Sequence, residues 1–172
     1  PTARDITVKL SATGKQYQME MADETGFFAA LIPRKTLADY TLLVFYDNGT
    51  LSEIHDPYSF APQFTESDLK KFEAGVHYSI YNKMGAHPMT VKGVSGVYFA
   101  VWAPNAQSVS LVGDFNGWDP AKTPMEKRGG IWYCFASGLN NGDLYKYCVT
   151  TASGKTVWKS DPFAQWSQSG VN

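Results

Sequence analysis
The chain has 172 residues, of which 15 are basic, 16 acidic and 15% aromatic. A net charge of −1 provides no electrostatic footprint for nucleic acid or an anionic membrane surface, and no apolar run is long enough to span a membrane. The three histidines, His55, His77 and His87, and two cysteines lack ligand spacing, so neither a metal nor another cofactor is expected.

The chain opens on Pro1-Thr-Ala-Arg-Asp-Ile-Thr-Val, continues through Thr25-Gly-Phe-Phe, Tyr40 and a turn at Asn48-Gly49, and reaches Asp56-Pro57-Tyr58. Thr65 followed by Asp68 is a helix-start signal and Gly75 a stop, which predicts a short helix over Glu66–Glu73. Residues 77–88 lead onward, with Tyr78, Ile80 and Tyr81 expected to pack. Short β-branched or aromatic runs follow at 98–102, 108–112, 131–135 and 144–150. Turns at Asn116-Gly117, Gly129-Gly130, Asn140-Asn141-Gly142 and Ser153-Gly154 separate these strands.

The second half repeats the first. Pro104-Asn-Ala-Gln-Ser-Val-Ser-Leu matches the opening 103 positions later, and Gly129-Gly-Ile-Trp matches Thr25-Gly-Phe-Phe 104 later. Tyr145, Ser153-Gly154 and Asp161-Pro162-Phe163 match Tyr40, Asn48-Gly49 and Asp56-Pro57-Tyr58, all 105 later. An offset that drifts while keeping order marks one architecture used twice. The reading is all-β: two tandem immunoglobulin-like antiparallel β-sandwiches joined by a short helical linker. The boundaries are 1–62, 63–80 and 81–172. The first copy starts at the position equivalent to Pro104, so it lacks the strand that precedes Pro104 in the second. It is read as truncated at its start, with an open sheet edge that upstream chain would cover.

Cys134 and Cys148 lie in strand-like runs and read as reduced, partly buried thiols, with a cross-strand disulfide as the alternative. Asp56 and Asp161 recur at matched Asp-Pro turns and are read as structural, so no catalytic residue is assigned. Binding is better supported, by features of the second copy that the first lacks. Asn116-Gly117 predicts a tight hairpin that presents Trp118 at its edge. Alternation along 144–150 turns Tyr145, Tyr147 and Val149 to one face and Lys146 and Cys148 to the other. Trp158 follows a turn. The first copy has Gly14 or Lys15, Thr41 and Glu53 at these places. Trp118 and Trp158 are read as exposed and Trp102 and Trp132 as core. Two indoles and an ammonium suit a sugar polymer, whose C–H faces stack on aromatic planes.

The strings Val94-Ser-Gly-Val-Tyr-Phe-Ala-Val-Trp-Ala-Pro-Asn-Ala, Val112-Gly-Asp-Phe-Asn-Gly-Trp-Asp, Leu144-Tyr-Lys-Tyr and Lys159-Ser-Asp-Pro-Phe resemble the family 48 carbohydrate-binding module. The approach Tyr81-Asn-Lys-Met-Gly-Ala-His-Pro resembles bacterial glycogen branching enzymes, which often carry two such modules before a catalytic barrel. The resemblance implies that Trp118, Lys146 and Trp158 contact α-1,4-glucan, either glycogen or a maltooligosaccharide. A loop after the Asp-Pro turn, within 166–172, would add a further wall. It also implies a cytoplasmic parent of the α-amylase superfamily, whose reaction uses two carboxylates in a C-terminal catalytic barrel that this chain does not contain. The alternative is a docking module that packs on that barrel, or on a partner protein, without touching sugar.

Overall fold
A computed structural model describes residues 2–23, 26–33, 38–56 and 59–166. The chain forms two compact units, Pro1–Ser59 and Phe60–Asn172. Among the described residues, no helix is long and apolar enough to cross a membrane.

In the first unit β1 (Ala3–Leu10), β2 (Gln16–Gln18), β5 (Tyr40–Tyr46) and β6 (Leu51–Ile54) form an antiparallel sheet in the order β2-β1-β5-β6. Thr7 pairs with Leu43 and Lys9 with Thr41, so alternation sends Ile6, Val8 and Leu10 to the opposite face together with Leu42 and Val44. Of these, Val8, Leu10 and Val44 are buried. A separate hairpin joins β3 (Glu20–Met21) to β4 (Phe28–Ala29). Among the described residues, this hairpin is all there is of a second sheet in the unit. Pro57 and Tyr58 of the first Asp-Pro turn lie outside the described residues.

The second unit begins with α1 (Glu66–Glu73). Thr65 caps it reciprocally with Asp68, and Gly75 (φ 72) ends it in the left-handed region that favours glycine. Seven strands follow: β7 (Gly85–Val91), β8 (Val94–Trp102), β9 (Ser108–Gly113), β10 (Glu126–Arg128), β11 (Ile131–Ser137), β12 (Tyr145–Thr150) and β13 (Thr156–Lys159). They form two antiparallel sheets, β10-β11-β8-β7 and β13-β12-β9. Pro88 lies in β7, which among the described residues pairs only with β8, and an edge strand tolerates the missing N–H.

Alternation along β8 and β11 feeds two apolar layers. Phe99, Val101, Trp132 and Cys134 meet Val109, Leu111 and Tyr147 of the facing sheet. Tyr98, Ala100, Ile131, Tyr133 and Phe135 point the other way and are covered by Phe60, Phe64, Leu69 and Met84. Residues 60–80 therefore pack into the core of the second unit. Burial and a hydrogen bond to Glu126 push the Tyr133 hydroxyl up to about 12.

Three packing expectations are corrected. Tyr78 and Tyr81 are 88% and 60% exposed, and of the three residues expected to pack only Ile80 does so. Trp102, the last residue of β8, is 39% exposed; its ring lies across Gly130, with Phe72 meeting it edge-on. Trp132 is buried. Cys134 and Cys148 are both buried and free. Cys134 faces the inter-sheet core and Cys148 the outer side of β12, so no disulfide can join them.

The two units repeat one another in space. The order β1, β5, β6 corresponds to β9, β12, β13, and the bridge Ser110↔Pro124 stands where β1 and β2 pair at Thr7↔Gln18. Tyr40 donates to Asp56 as Tyr145 donates to Asp161.

Candidate functional site
The outer face of the β13-β12-β9 sheet carries the residues in question. Register sets Cys148 opposite Trp158 on one side and Ser110 on the other, and Lys146 opposite Val112. Residues paired across antiparallel strands share a face, so Lys146, Cys148 and Trp158 lie together, away from the core-facing Tyr147. Cys148 and Val112 are buried beneath this surface, while Lys146 is exposed and Trp158 is 46% exposed.

Trp118 reaches the same shelf by a route the sequence reading did not foresee. Asn116-Gly117 does not form a two-residue hairpin. After β9 the chain makes a 3₁₀ turn over Asp114–Asn116, and the left-handed residues are Gly117 (φ 68) and Trp118 (φ 61). A left-handed tryptophan costs about 1–3 kcal/mol and persists only when its surroundings fix it. Here they do. The buried Asn116 accepts from the backbone N–H groups of Gly113 (3.0 Å) and Trp118 (3.1 Å) through Oδ1. Its Nδ2 donates to Leu111 O (2.9 Å) and to the Thr123 hydroxyl (3.0 Å). Asp114 accepts from the Trp118 indole N–H (2.9 Å).

The outcome is a pair of indoles. The half-buried Trp118 lies nearly parallel to Trp158, at 14° with ring centroids 5.8 Å apart, within the range of an offset stack. No hydrogen bond joins Lys146 to either ring; it shares the sheet face by register. Asn116 and Asp114 were not singled out from sequence, although the Asx chemistry of an Asp-x-Asn-Gly turn was the available signal. Trp166 is 70% exposed, and the rest of the expected loop, 167–172, lies outside the described residues.

The first unit has a different surface at the matched positions. Lys9 donates to both Glu53 oxygens (3.1 Å each), and Thr41 donates to Glu53 (2.7 Å). The Thr41 and Lys9 hydrogen bonds hold the Glu53 carboxyl below its usual range. The matched carboxylates are structural. Asp161 accepts from Tyr145 (2.6 Å), Tyr147 (3.1 Å) and the Phe163 N–H (2.8 Å), pinning the Asp-Pro turn to β12. Burial, then Asp161, drives both phenols upward. Gly85 is needed here, because a Cβ would lie 2.9 Å from Phe163 Cβ.

Residues 83–164 match the family model of carbohydrate-binding module 48 (isoamylase N-terminal domain), so the sandwich of the second unit is a module of that class. Residues 1–58 match the model of the N-terminal domain of the alpha-1,4-glucan branching enzyme GlgB. The chain is 44% identical over 170 residues to the 1,4-alpha-glucan branching enzyme GlgB of Thermosynechococcus vestitus, covering 98% of this chain and 22% of that protein. It is 43% identical over 171 residues to the GlgB of Protochlamydia amoebophila, covering 98% and 23%. In order along the chain stand a region matching the branching-enzyme N-terminal domain and a family 48 module, and nearly the whole chain aligns with these GlgB relatives. It spans about a fifth of the length of these relatives. Among solved structures, the catalytic module of the pneumococcal glycogen-degrading virulence factor SpuA is 32% identical over 46% of this chain and 12% of its own, with a TM-score of 0.35.

Proposed function
We propose that the second unit holds α-1,4-linked glucan, as glycogen or a maltooligosaccharide, on the shelf of Trp118, Lys146 and Trp158. It would do so on behalf of the catalytic barrel of a cytoplasmic 1,4-α-glucan branching enzyme. The observation that carries this reading is the near-parallel Trp118–Trp158 pair beside an exposed lysine. Each indole offers an apolar plane to the C–H face of a pyranose, and Lys146 donates to hydroxyls at the rim. The working module is the whole of residues 60–172, because 60–80 pack into its core. The branching reaction needs two carboxylates, which belong to the barrel; Asp161 is held by two tyrosines and Asp56 bonds Tyr40.

Titration calorimetry with maltoheptaose tests the reading. One aromatic stack contributes ~1 kcal/mol, so Trp118→Ala and Trp158→Ala should each weaken affinity about fivefold. The backbone circular dichroism should stay unchanged apart from the lost contribution of the indole pair. A parent chain that shows no binding heat of either sign with maltoheptaose sinks the reading. For the first unit a docking role without sugar is favoured, because Thr41 and Glu53, at the places of Lys146 and Trp158, bond one another and Glu53 also binds Lys9.

A further inference from the structure
Asp114 lies beside the shelf, and its carboxylate joins the shelf to the residue that precedes strand β12. Its Oδ1 accepts from Trp118 Nε1 (2.9 Å) and its Oδ2 from the backbone N–H of Leu144 (2.9 Å). Its own backbone N–H donates to Leu144 O (3.0 Å). Asp114 is thereby stitched to the residue two places before Lys146. Stacking on Trp158 sets the plane of the Trp118 ring but not which way its edge points, because the second side-chain torsion of an aromatic is roughly two-fold and a half-turn preserves the plane. A hydrogen bond at the indole N–H supplies that missing constraint.

We propose that Asp114 is a positioning residue, a tether that fixes the Trp118 indole relative to Trp158 and Lys146 before ligand arrives. The inference rests on the reading that this shelf holds glucan. It also limits how the ligand is met. With its N–H engaged by Asp114, Trp118 offers a ring face and no free donor, so it makes no direct hydrogen bond to hydroxyls, a task left to donors such as Lys146. The sugar is selected by its apolar face.

The test uses the full chain with Asp114→Ala, Asp114→Asn, Trp118→Phe and the double variant Asp114→Ala/Trp118→Phe. Two readouts are taken: the far-ultraviolet exciton couplet of the parallel indoles, and calorimetry with maltoheptaose. Asp114→Ala should collapse the couplet and weaken affinity about five- to tenfold. Asp114→Asn, whose single carbonyl serves only one of the two donors, should fall between it and the parent. Trp118→Phe keeps an aromatic face without a tether, so adding Asp114→Ala to it should cost clearly less than in the parent, where only the Leu144 contact is left to lose. If Asp114→Ala does not fold, the asparagine and phenylalanine variants carry the comparison. An unchanged couplet overturns the proposal, as does parental affinity despite a lost couplet, or additivity in the double variant. A parent chain that does not bind maltoheptaose sinks the glucan reading instead. The couplet then decides the tether alone, collapse supporting it and persistence overturning it.

Discussion
Trp118 shows how a few polar atoms govern an apolar surface. Its left-handed backbone and fixed indole depend on Asn116, whose four hydrogen bonds close the loop from inside. Asn116→Ala leaves the Gly113 N–H and the Leu111 carbonyl without that partner, while the Trp118 N–H keeps its bond to the Gly113 carbonyl (2.9 Å). Each orphaned polar group costs about 1–3 kcal/mol, so urea denaturation should show a loss of about 2–4 kcal/mol after partial rehydration. Gly113 is a second fixed point: a Cβ there would lie 2.4 Å from the Leu144 carbonyl oxygen. Gly113→Ala should therefore separate β9 from the start of β12 and lower both stability and maltoheptaose affinity. The tryptophan, the lysine and the strand alternation were legible in sequence, because side chains alternate along any strand. The position of the left-handed pair was not. Asn-Gly favours positive φ at both residues in a two-residue hairpin, but β9 pairs with β12 and the turn had to close differently.

At the scale of elements, α1 was readable to the residue because its stop and start signals are local. The Thr65–Asp68 capping box is present as expected. Thr65→Ala should cost about 1 kcal/mol in thermal unfolding of the second unit. Asp68 also binds Lys83 (2.7 Å) and His77 (2.9 Å). The Lys83 hydrogen bond first, then the Thr65 N–H and His77, hold its carboxyl well below the ordinary 3.8. A carboxyl whose folded value is depressed stabilises the fold above its unfolded value, and that stability is lost as pH falls through the folded one. The stability advantage of the parent over Asp68→Asn should hold from neutral pH down to about 5 and shrink steadily below about 4, followed by denaturant midpoints across that range. Strand β7 escaped the sequence reading for two reasons. It contains Pro88, and its turn into β8 is Lys92-Gly93, where a lysine takes φ 52 in place of the usual asparagine or aspartate.

At the scale of the molecule, two copies of one plan have diverged in what they expose. The second unit covers both faces of its β10-β11-β8-β7 sheet, whereas the described part of the first unit buries chiefly Val8, Leu10 and Val44. Residues 60–172 produced alone should fold and retain parental maltoheptaose affinity, and residues 1–59 should show none; calorimetry on the two pieces checks this. Sequence by itself determined the β class, the duplication, the capped helix and the side chains of the shelf, because all rest on short-range periodicity or on recurrence at a fixed offset. Only the tertiary structure decided that residues 60–80 belong to the core of the second unit and that Trp102, Tyr78 and Tyr81 stay exposed. It also decided that Trp118 lies against Trp158. Burial depends on which distant surface arrives to cover a side chain, and the two indoles are forty residues apart along the chain. They meet because β13 pairs with β12, β12 pairs with β9, and a buried asparagine turns the chain back beyond it.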